Sequence, residues 1–279
     1  MRTMRSVLTL AVLVIIFAAC SKEPKTTEEV LKDIGDKAAK INTYSADFDM
    51  AMNMGALDMK FGGNMQGKEK LMAMTLNMEM MNQNVAMKMV TDQTGITWME
   101  MDMMELKQVM KMDMAQAQAM QEEMIPGMPT GFGGMGGLRG DPRSFADQFS
   151  KTFDMTYTGK EKLEDEDVYV LTGKLKEELK ATLSDNPSAV GAATMGMDLG
   201  SMMDTARMKI GVKDGFPRSA EMLDKDGKAW MTQTYKNVKL DVPIDDALFA
   251  YTPPDGAQVM DMSEVAGEAM HGQEDAPQN

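Results

Sequence analysis

The chain has one histidine and one cysteine among its 279 residues. A Ser-His-Asp or Cys-His catalytic set needs a histidine beside its nucleophile, and zinc clusters need several histidine or cysteine ligands. The histidine, His271, lies in a polar segment with Glu274 and Asp275. We therefore expect no enzyme, no metal centre built from histidine or cysteine, and no cofactor. Because Cys20 has no partner within the chain, no internal disulfide supports the fold.

Basic side chains are in the minority as well. The chain has 29 lysines and arginines against 43 aspartates and glutamates, and its formal net charge is -14. The phosphates of nucleic acids repel such an acidic chain, and anionic lipid headgroups do not attract it. We therefore expect no nucleic-acid partner, and we expect any attachment to a membrane to come from acyl chains rather than from charge.

A long apolar run is the third absence. The apolar stretch Val7–Phe17 follows Arg2 and Arg5, and it is shorter than the roughly twenty residues that a transmembrane helix needs. It leads into Ala18-Ala19-Cys20. This arrangement is typical of a bacterial lipoprotein signal peptide, here residues 1–19. An ordinary signal peptide with a chance cysteine is the alternative.

Cys20 is the expected site of acylation, by fatty acids such as palmitate. Residues 20–26 then form a lipidated tether. Two or more acyl chains hold a protein durably at a membrane, because each buried methylene contributes about 0.8 kcal/mol. Ser21, the next residue, resembles the residue found after the acylated cysteine in lipoproteins that Gram-negative cells sort to the outer membrane. We therefore expect a lipid-anchored protein of the cell envelope, located at the outer membrane and facing the periplasm.

The first structured part of the chain is an amphipathic helix followed by strands. Thr26 and Glu29 have the spacing of a capping box, and apolar residues follow at helical spacing as far as Ile41, with a helix end near Asn42. From Tyr44 onward, apolar residues alternate with polar ones, which is typical of half-buried strands. Six strands at hairpin spacing predict an antiparallel meander with one apolar face.

The second half of the chain combines short helices and further strands. Ala115–Met124 has a helical composition, and Phe145 and Phe149 share one face of another helix. The glycine- and proline-rich segment 126–142 is expected to be a mobile connection, and 175–204 a helix with an irregular insertion. The remaining strands are expected at Phe153–Lys160, Val168–Lys174, Ala206–Val212, Arg218–Leu223 and Lys228–Leu240.

The pattern predicts a mainly β protein with a few helices (α+β), in one domain over residues 27–262. A sheet of about ten to eleven antiparallel strands cannot stay flat, so it twists and curls towards a barrel. We expect no break between two separate cores. The sequence becomes acidic and polar after this domain, and residues 263–279 are therefore expected to be a disordered tail.

Methionine is the compositional outlier, with 36 residues, more than half of them between Met50 and Met128. One interpretation is that methionine takes the place of leucine in an ordinary filled core. A second is a soft binding cavity, because flexible thioether side chains repack around ligands of varied shape, and acyl chains are ligands of that kind. The side chains expected to line such a cavity are Phe48, Met50, Met52, Met72, Met74, Leu76, Met78, Met87, Met89 and Trp98.

A third interpretation is copper, because thioethers are soft ligands suited to Cu(I). The close groups Met78–Met81, Met101–Met104 and Met195–Met197 favour it. However, neighbours along a strand point to opposite faces, so most of these sulfurs diverge. Only the segment Met195–Met208 is expected to gather several sulfurs around one ion.

The last strands carry motifs of a known family. Tyr235-Lys-Asn237, followed by Phe249 and by Pro253-Pro254-Asp-Gly256, resembles the C-terminal signature of the LolA/LolB/LppX-like lipoprotein-carrier superfamily, which includes outer membrane lipoprotein-sorting proteins. The join between helix and first strand, Ile41–Phe48, resembles the same superfamily. So does the hairpin Asp92–Trp98, in which Gln93 stands where glycine is common.

This resemblance covers about residues 27–262. It implies a half-open antiparallel β-barrel of about 11 strands, with helices lidding the concave face and an apolar cavity for acyl chains of lipoproteins or other lipids. It also implies a cavity arginine that latches the lid, for which Arg143 and Arg207 are the candidates. An apolar loop that inserts into the membrane has one candidate, Gly127–Leu138.

The sequence therefore predicts a membrane-anchored lipoprotein that holds or transfers lipid or lipoprotein acyl chains in a methionine-rich cavity. The helices near Thr27–Ile41 and Asp113–Met124 would gate that cavity. The expected partners are acyl chains and, through lipidated Cys20, the membrane; no protein partner is identified. The alternatives are an envelope stress sensor and a Cu(I)-binding lipoprotein.

Overall fold

The computed structural model describes residues 26–54, 57–80, 83–103, 106–124, 141–185 and 203–262. The helices of this part of the chain are α1 (Thr27–Ala38), α2 (Met114–Met124), α3 (Phe145–Thr152) and α4 (Glu177–Asp185). The strands are β1 (Thr43–Met54), β2 (Leu57–Lys68), β3 (Leu71–Met80), β4 (Gln83–Thr91), β5 (Ile96–Met103), β6 (Leu106–Asp113), β7 (Phe153–Leu163), β8 (Glu166–Leu175), β9 (Thr205–Gly211), β10 (Pro217–Leu223), β11 (Ala229–Leu240) and β12 (Gln258–Asp261).

The described strands form one 12-stranded sheet in the order β12-β6-β5-β4-β3-β2-β1-β11-β10-β9-β8-β7. Neighbouring strands are antiparallel, except that β12 lies parallel to β6. The two edge strands, β7 and β12, do not pair with each other, so the sheet is a barrel that does not close. The predicted fold class, a mainly β half-open barrel with helices, is confirmed.

The structure differs from the sequence pattern at the end of the domain and at the end of the first helix. The pattern does not predict β12, because four residues are too few to show an alternation. This strand makes the sheet mixed rather than purely antiparallel. α1 ends at Ala38 rather than near Asn42, because the chain uses the residues between them to turn into β1.

α1 begins as its sequence predicts. The Thr26 hydroxyl accepts a hydrogen bond from the Glu29 amide at 3.1 Å, and the Glu29 carboxylate accepts one from the Thr26 amide at 3.2 Å. These two bonds complete the capping box and satisfy amides that have no partner inside the helix. The apolar side chains Val30, Ile34 and Ala38 are buried, so packing holds this helix against the sheet.

One face of the sheet carries rows of methionine across neighbouring strands. Met65 of β2 pairs with Met74 of β3, and the row continues through Met89, Met99 and Met110 of β4, β5 and β6. Because paired residues on neighbouring strands share a face, these side chains all lie on the same side of the sheet. We call this side the inner face and the opposite side the outer face.

The buried side chains of the inner face form two clusters that are in contact with each other. The helix-covered cluster joins Val30 of α1 and Phe149 of α3 to Leu171 and Met208 of the sheet. Met231 of β11 packs against both clusters, so the two meet at this strand. The second cluster, here the methionine cluster, lies mainly on β1–β5, and its buried methionines are Met50, Met65, Met72, Met74, Met87, Met89 and Met99.

The C-terminal segment crosses the outer face. After β11, a 3₁₀ turn at Asp246–Phe249 contacts β3 and β4. Tyr251 then packs its ring at a tilt against Trp98, with 5.5 Å between the ring centroids, and donates to the Glu100 carboxylate at 2.8 Å. Trp98 and Glu100 alternate with the inner-face residue Met99 on β5, which places both contacts on the outer face. The segment therefore straps the back of the strands that carry the methionine cluster.

A buried arginine joins the strands on the other side of β1. The Arg218 side chain on β10 is 8% exposed, and it pairs with Asp214 at 2.7 Å and with Glu166. It also donates to the Phe216 carbonyl at 2.8 Å. Burial opposes the charge of Arg218, but its bonds to Glu166 and Asp214 raise its pKa above the ordinary value. The cation is therefore a permanent link between the start of β8 and the turn before β10.

The substitution Arg218→Leu should leave two carboxylates without their cation. We expect the free energy of unfolding to fall by about 3 kcal/mol, because breaking a buried ion pair leaves charge uncompensated. The matched control is Arg207→Leu on β9, whose ion pair with Glu221 is exposed and should contribute less than about 1 kcal/mol. Urea unfolding followed by circular dichroism measures both variants. Equal losses would contradict the linking role of Arg218.

Candidate functional site

Aromatic side chains close one end of the inner face. Tyr44 of β1 and Tyr235 of β11 lie 5.5 Å and 5.8 Å from Phe216, measured between ring centroids. Phe145 of α3 meets Tyr235 edge-on. These four residues, here the aromatic end, are all buried. Gln233 donates to the Tyr235 hydroxyl at 2.9 Å. The two polar side chains of this apolar region are therefore hydrogen-bonded to each other.

Arg143 fastens the aromatic end. Its guanidinium lies 5.4 Å from the centroid of the Tyr44 ring, which is a cation–π arrangement. It donates to the Ile41 carbonyl at 2.9 Å and to the Glu69 carbonyl, and it pairs with Asp141 at 2.8 Å. Burial opposes the charge, but Asp141 raises the pKa of Arg143 above its ordinary value. The segment that leads into α3 is therefore held to the turns before β1 and β3.

The two arginine candidates for a lid latch have different positions. Arg143 reaches the aromatic end of the inner face, as described above. Arg207 alternates on β9 with the buried residues Ala206 and Met208, so it lies on the outer face, where it pairs with Glu221 at 3.3 Å. The structure therefore favours Arg143 and excludes Arg207 as a residue of the inner face.

The structure brings the predicted cavity residues together on the inner face, with the exception of Trp98. Met52 and Met78 are partly buried and pack against the methionine cluster. The other inner-face members are buried: Phe48, Met50, Met72, Met74, Leu76, Met87 and Met89. Their common face follows from the alternation in each strand together with the observed register. Their role in binding lipid stays a prediction.

Trp98 lies on the outer face, away from the other predicted cavity residues. Its neighbour Met99 is the buried inner-face residue of β5. The Trp98 indole nitrogen donates to Asp92 at 3.1 Å, and its ring packs against Tyr251. β5 has apolar residues on both of its sides: Ile96 and Trp98 on one, Met99 on the other. The pairing of Met99 with Met89 turns the Met99 side inward, so Trp98 points to the outer face. Trp98 therefore supports the β4–β5 turn.

The inner face becomes accessible at the end opposite the aromatic end. Along β1, the inner-face side chains are fully buried from Tyr44 to Met50, and burial becomes partial at Met52. The same change occurs along β2, where Phe61 is buried and Met59 is partly buried. We call the partly buried methionines of this end the methionine rim: Met52, Met59, Met78, Met101 and Met231.

The rim includes methionines that were not among the predicted cavity residues. Met59 and Met101 lie on predicted strands, and the parity of those strands could have identified them. Met231 is different, because it lies near the other end of the chain from Met52. It becomes the neighbour of Met52 only through the pairing of β11 with β1.

A cavity on the inner face has a volume of about 30 Å³. Sites for drug-sized ligands typically measure roughly 300–1,000 Å³, so this cavity holds about one water molecule. Methionine side chains occupy the space around it. Its lining residues are Thr97, Met99, Met110, Met112 and Met262.

Several predicted features lie outside the described residues: the signal peptide with Cys20, the segment Gly127–Leu138, the methionines Met195–Met197 and the tail 263–279. Met203, from the proposed copper loop, is buried in the helix-covered cluster. Over the described ranges, no helix combines the length and apolar character needed to cross a membrane. In the same ranges, no group of three or more histidine, cysteine, aspartate or glutamate side chains is placed to hold a metal ion.

No family model matches the chain, and no curated protein is similar to it in sequence. Several solved structures resemble it in fold. An uncharacterized conserved protein from Thermus thermophilus is similar over 84% of this chain and 98% of its own, with 11% identity and a TM-score of 0.48. The lipoprotein LppX from Mycobacterium tuberculosis is similar over 78% of this chain and 98% of its own, with 10% identity and a TM-score of 0.42.

An outer membrane lipoprotein-sorting protein domain from Vibrio parahaemolyticus is similar over 78% of this chain and 95% of its own, with 10% identity and a TM-score of 0.34. The likeness is one of fold, and at these identities it assigns neither a ligand nor a partner to this chain.

The tyrosines of the aromatic end give the fold a dependence on pH. Burial raises the pKa of Tyr44 and of Tyr235 well above the ordinary value for tyrosine. A group whose pKa is higher in the folded chain stabilises the fold fully below its unfolded pKa, here about 10, and this contribution is lost as the pH rises further. We therefore expect these two groups to lower the free energy of unfolding only above about pH 10.

Ultraviolet titration of tyrosinate absorbance, followed together with unfolding, measures this effect. Tyr44 and Tyr235 should ionise as the chain unfolds rather than before it. The variant Tyr235→Phe should reduce by one tyrosine the absorbance that appears in that transition. If every tyrosine ionised while the chain was still folded, the aromatic end could not be closed to water.

Proposed function

We propose that the protein binds acyl chains of lipids or lipoproteins on its inner face, and holds or transfers them at a membrane of the bacterial envelope. One observation carries the proposal: the methionine-lined inner face belongs to an unclosed sheet, is shut at the aromatic end and is partly exposed at the methionine rim. Between Met52 and Tyr44, β1 extends for roughly 26 Å at about 3.3 Å per residue. This length of the inner face, from the rim to the aromatic end, would be available to a long acyl chain that enters at the rim.

Methionine suits such a role because its side chain has three flexible torsions and a polarizable sulfur. We expect the rim methionines to move aside and repack along an acyl chain that enters between them, at some cost in packing. Burial of the ligand offsets this cost, since each buried methylene contributes about 0.8 kcal/mol. Side chains of this kind also accept ligands of different length and branching.

The two helices expected to gate the inner face contact different strands of the sheet. α1 contacts β7, and Lys37 ties it to the sheet by donating to the Val212 carbonyl while pairing with Asp33. Asp33 also accepts from the Tyr169 hydroxyl at 2.8 Å. α2 contacts β6, beside the methionine cluster.

The proposal includes a lipid anchor at Cys20. The tether 20–26 would keep the domain 27–262 within reach of the outer membrane from the periplasmic side. Because the net charge of the chain is -14, attraction to anionic headgroups adds nothing to this attachment. Transfer of an acyl chain then needs no catalytic residue. It needs only a difference in affinity between the donor, the inner face and the acceptor.

The double variant Met52→Gln with Met59→Gln tests the role of the rim. These residues face each other on β1 and β2, and glutamine keeps their length while adding an amide that an acyl chain cannot hydrogen-bond. We expect affinity for a fatty acid to fall roughly tenfold, because apolar contacts with the ligand are lost. The matched control is Leu248→Gln in the 3₁₀ turn of the outer face, a position that is 41% exposed.

Native mass spectrometry of the full-length protein measures bound fatty acid or phospholipid, and thermal unfolding measures stability. The rim variant should lose binding with little change in Tm, and the control should keep both. The methionines would be ordinary core residues if the rim variant lost stability in proportion to binding, or if the control lost as much binding as the rim variant.

A second candidate function is the binding of Cu(I). Met59, Met52, Met231 and Met222 occupy one row across β2, β1, β11 and β10. Paired side chains on neighbouring strands have Cβ atoms about 5 Å apart, so three flexible thioethers of this row can reach one soft ion. The sequence pattern does not reveal the row, because its members are distant in the chain and come together only in the sheet.

Titration with Cu(I) under reducing conditions, against a colorimetric chelator, tests this candidate. Wild-type protein should remove one equivalent of Cu(I) from the chelator. The variant Met52→Gln with Met59→Gln should remove none, and Met260→Gln on β12 should behave as the wild type. Failure of the wild-type protein to bind Cu(I) would eliminate this candidate and leave the acyl-chain proposal unaffected.

A further inference from the structure

In the part of the chain that the structure describes, one buried donor on the inner face has no hydrogen-bond partner. Among the side chains that the structure describes, the indole nitrogen of Trp230 is buried and makes no hydrogen bond. The chain has two tryptophans, and the other, Trp98, donates to Asp92 at 3.1 Å. A buried donor without an acceptor costs free energy, and native structures keep few of them. A hydrogen-bond acceptor placed beside the Trp230 N–H would therefore remove this cost.

A β-bulge sets the position of Trp230. Between β10 and β11 the register runs from Met222 opposite Met231 to Leu223 opposite Ala229, so Trp230 is the extra residue of β11. In a bulge, two consecutive residues oppose one residue of the partner strand, and the simple alternation of faces is interrupted. As a result, Trp230 and its neighbour Met231 both pack against the helix-covered cluster.

Met231 connects Trp230 to the methionine rim. It is itself a rim residue, it pairs with Met52 of β1, and it packs against both clusters. Trp230 as a whole is partly exposed, whereas its indole nitrogen is buried. A ligand at the rim therefore meets the N–H only when the side chains around it move aside. The residue lies where the methionine rim meets the helix-covered cluster.

We propose that the Trp230 N–H donates a hydrogen bond to a carbonyl oxygen of the acyl ligand. This inference rests on the proposed function. An acyl ligand has a long apolar tail and, at one end, an oxygen that accepts hydrogen bonds. When the tail points towards the aromatic end, this oxygen lies at the rim, beside Trp230. The carboxylate of a free fatty acid and the ester carbonyl of a phospholipid or lipoprotein present the same acceptor.

Three probes with the same chain length separate this hydrogen bond from burial of the tail: dodecanoic acid, methyl dodecanoate and dodecane. In full-length protein labelled with ¹⁵N at the indole nitrogens, Trp98→Phe identifies the Trp230 signal, since it removes the other indole from the outer face. The acid and the ester should move the Trp230 N–H proton downfield, as a new hydrogen bond does. Dodecane should move it little.

The variant Trp230→Phe removes the donor and keeps an aromatic ring. It should bind the acid and the ester about five- to tenfold more weakly than wild type, the usual effect of one hydrogen bond, and should bind dodecane equally well. Its Tm should equal or exceed that of wild type, because a buried donor without a partner is gone. The probe that loses more affinity, acid or ester, identifies the source of the carbonyl.

Two results would overturn the inference, and they differ in what they say about the proposed function. If wild type and Trp230→Phe bind all three probes with equal affinity, and the indole signal does not move, the hydrogen bond does not form although acyl chains bind. If none of the three probes binds to wild-type protein, the proposed function fails, and the inference fails with it.

Discussion

The pairing of β1 with two partners is the constraint on which the rest of the structure depends. β1 pairs with β2, its neighbour in sequence, and with β11 from the far end of the domain. Asp47 of β1 accepts hydrogen bonds from Asn237 of β11 and from Asn64 of β2, and these bonds lower its pKa below the ordinary value. Without this strand the sheet would divide into two, each with a new unpaired edge. Every row that crosses the inner face passes through β1.

The apolar side chains of the inner face are buried in a different way in each of its two halves. In the helix-covered cluster, α1 and α3 bring Val30 and Phe149 onto the sheet, and Arg218 fixes the turns beneath them. In the methionine cluster, flexible side chains fill the space themselves. A fixed half and an adaptable half meet at Met231, which packs against both. This division fits the proposed binding of acyl chains, in which the fold is kept while the ligand enters and leaves.

The two tryptophans show where the periodic pattern stops being informative. The alternation of polar and apolar residues is enough to place Phe48, Met50 and most other predicted cavity residues on one face. It fails for Trp98, because β5 has apolar residues on both of its sides. Only the pairing of β5 with β4 decides which side faces inward. It fails again for Trp230, because a bulge breaks the alternation within β11. The element type is predicted in both cases, and the direction of the side chain is not.

The sequence by itself determined the local elements and the class of fold. The capping box of Thr26 and Glu29 and the period-two strands appear where the residues predict them. Only the tertiary structure decided that β1 joins β11, that the inner face has two clusters, and that Met52 meets Met231. The physical reason is range. A strand or turn depends on residues a few positions apart, whereas the bond between Asp47 and Asn237 joins residues 190 positions apart, and no local pattern encodes such a pairing.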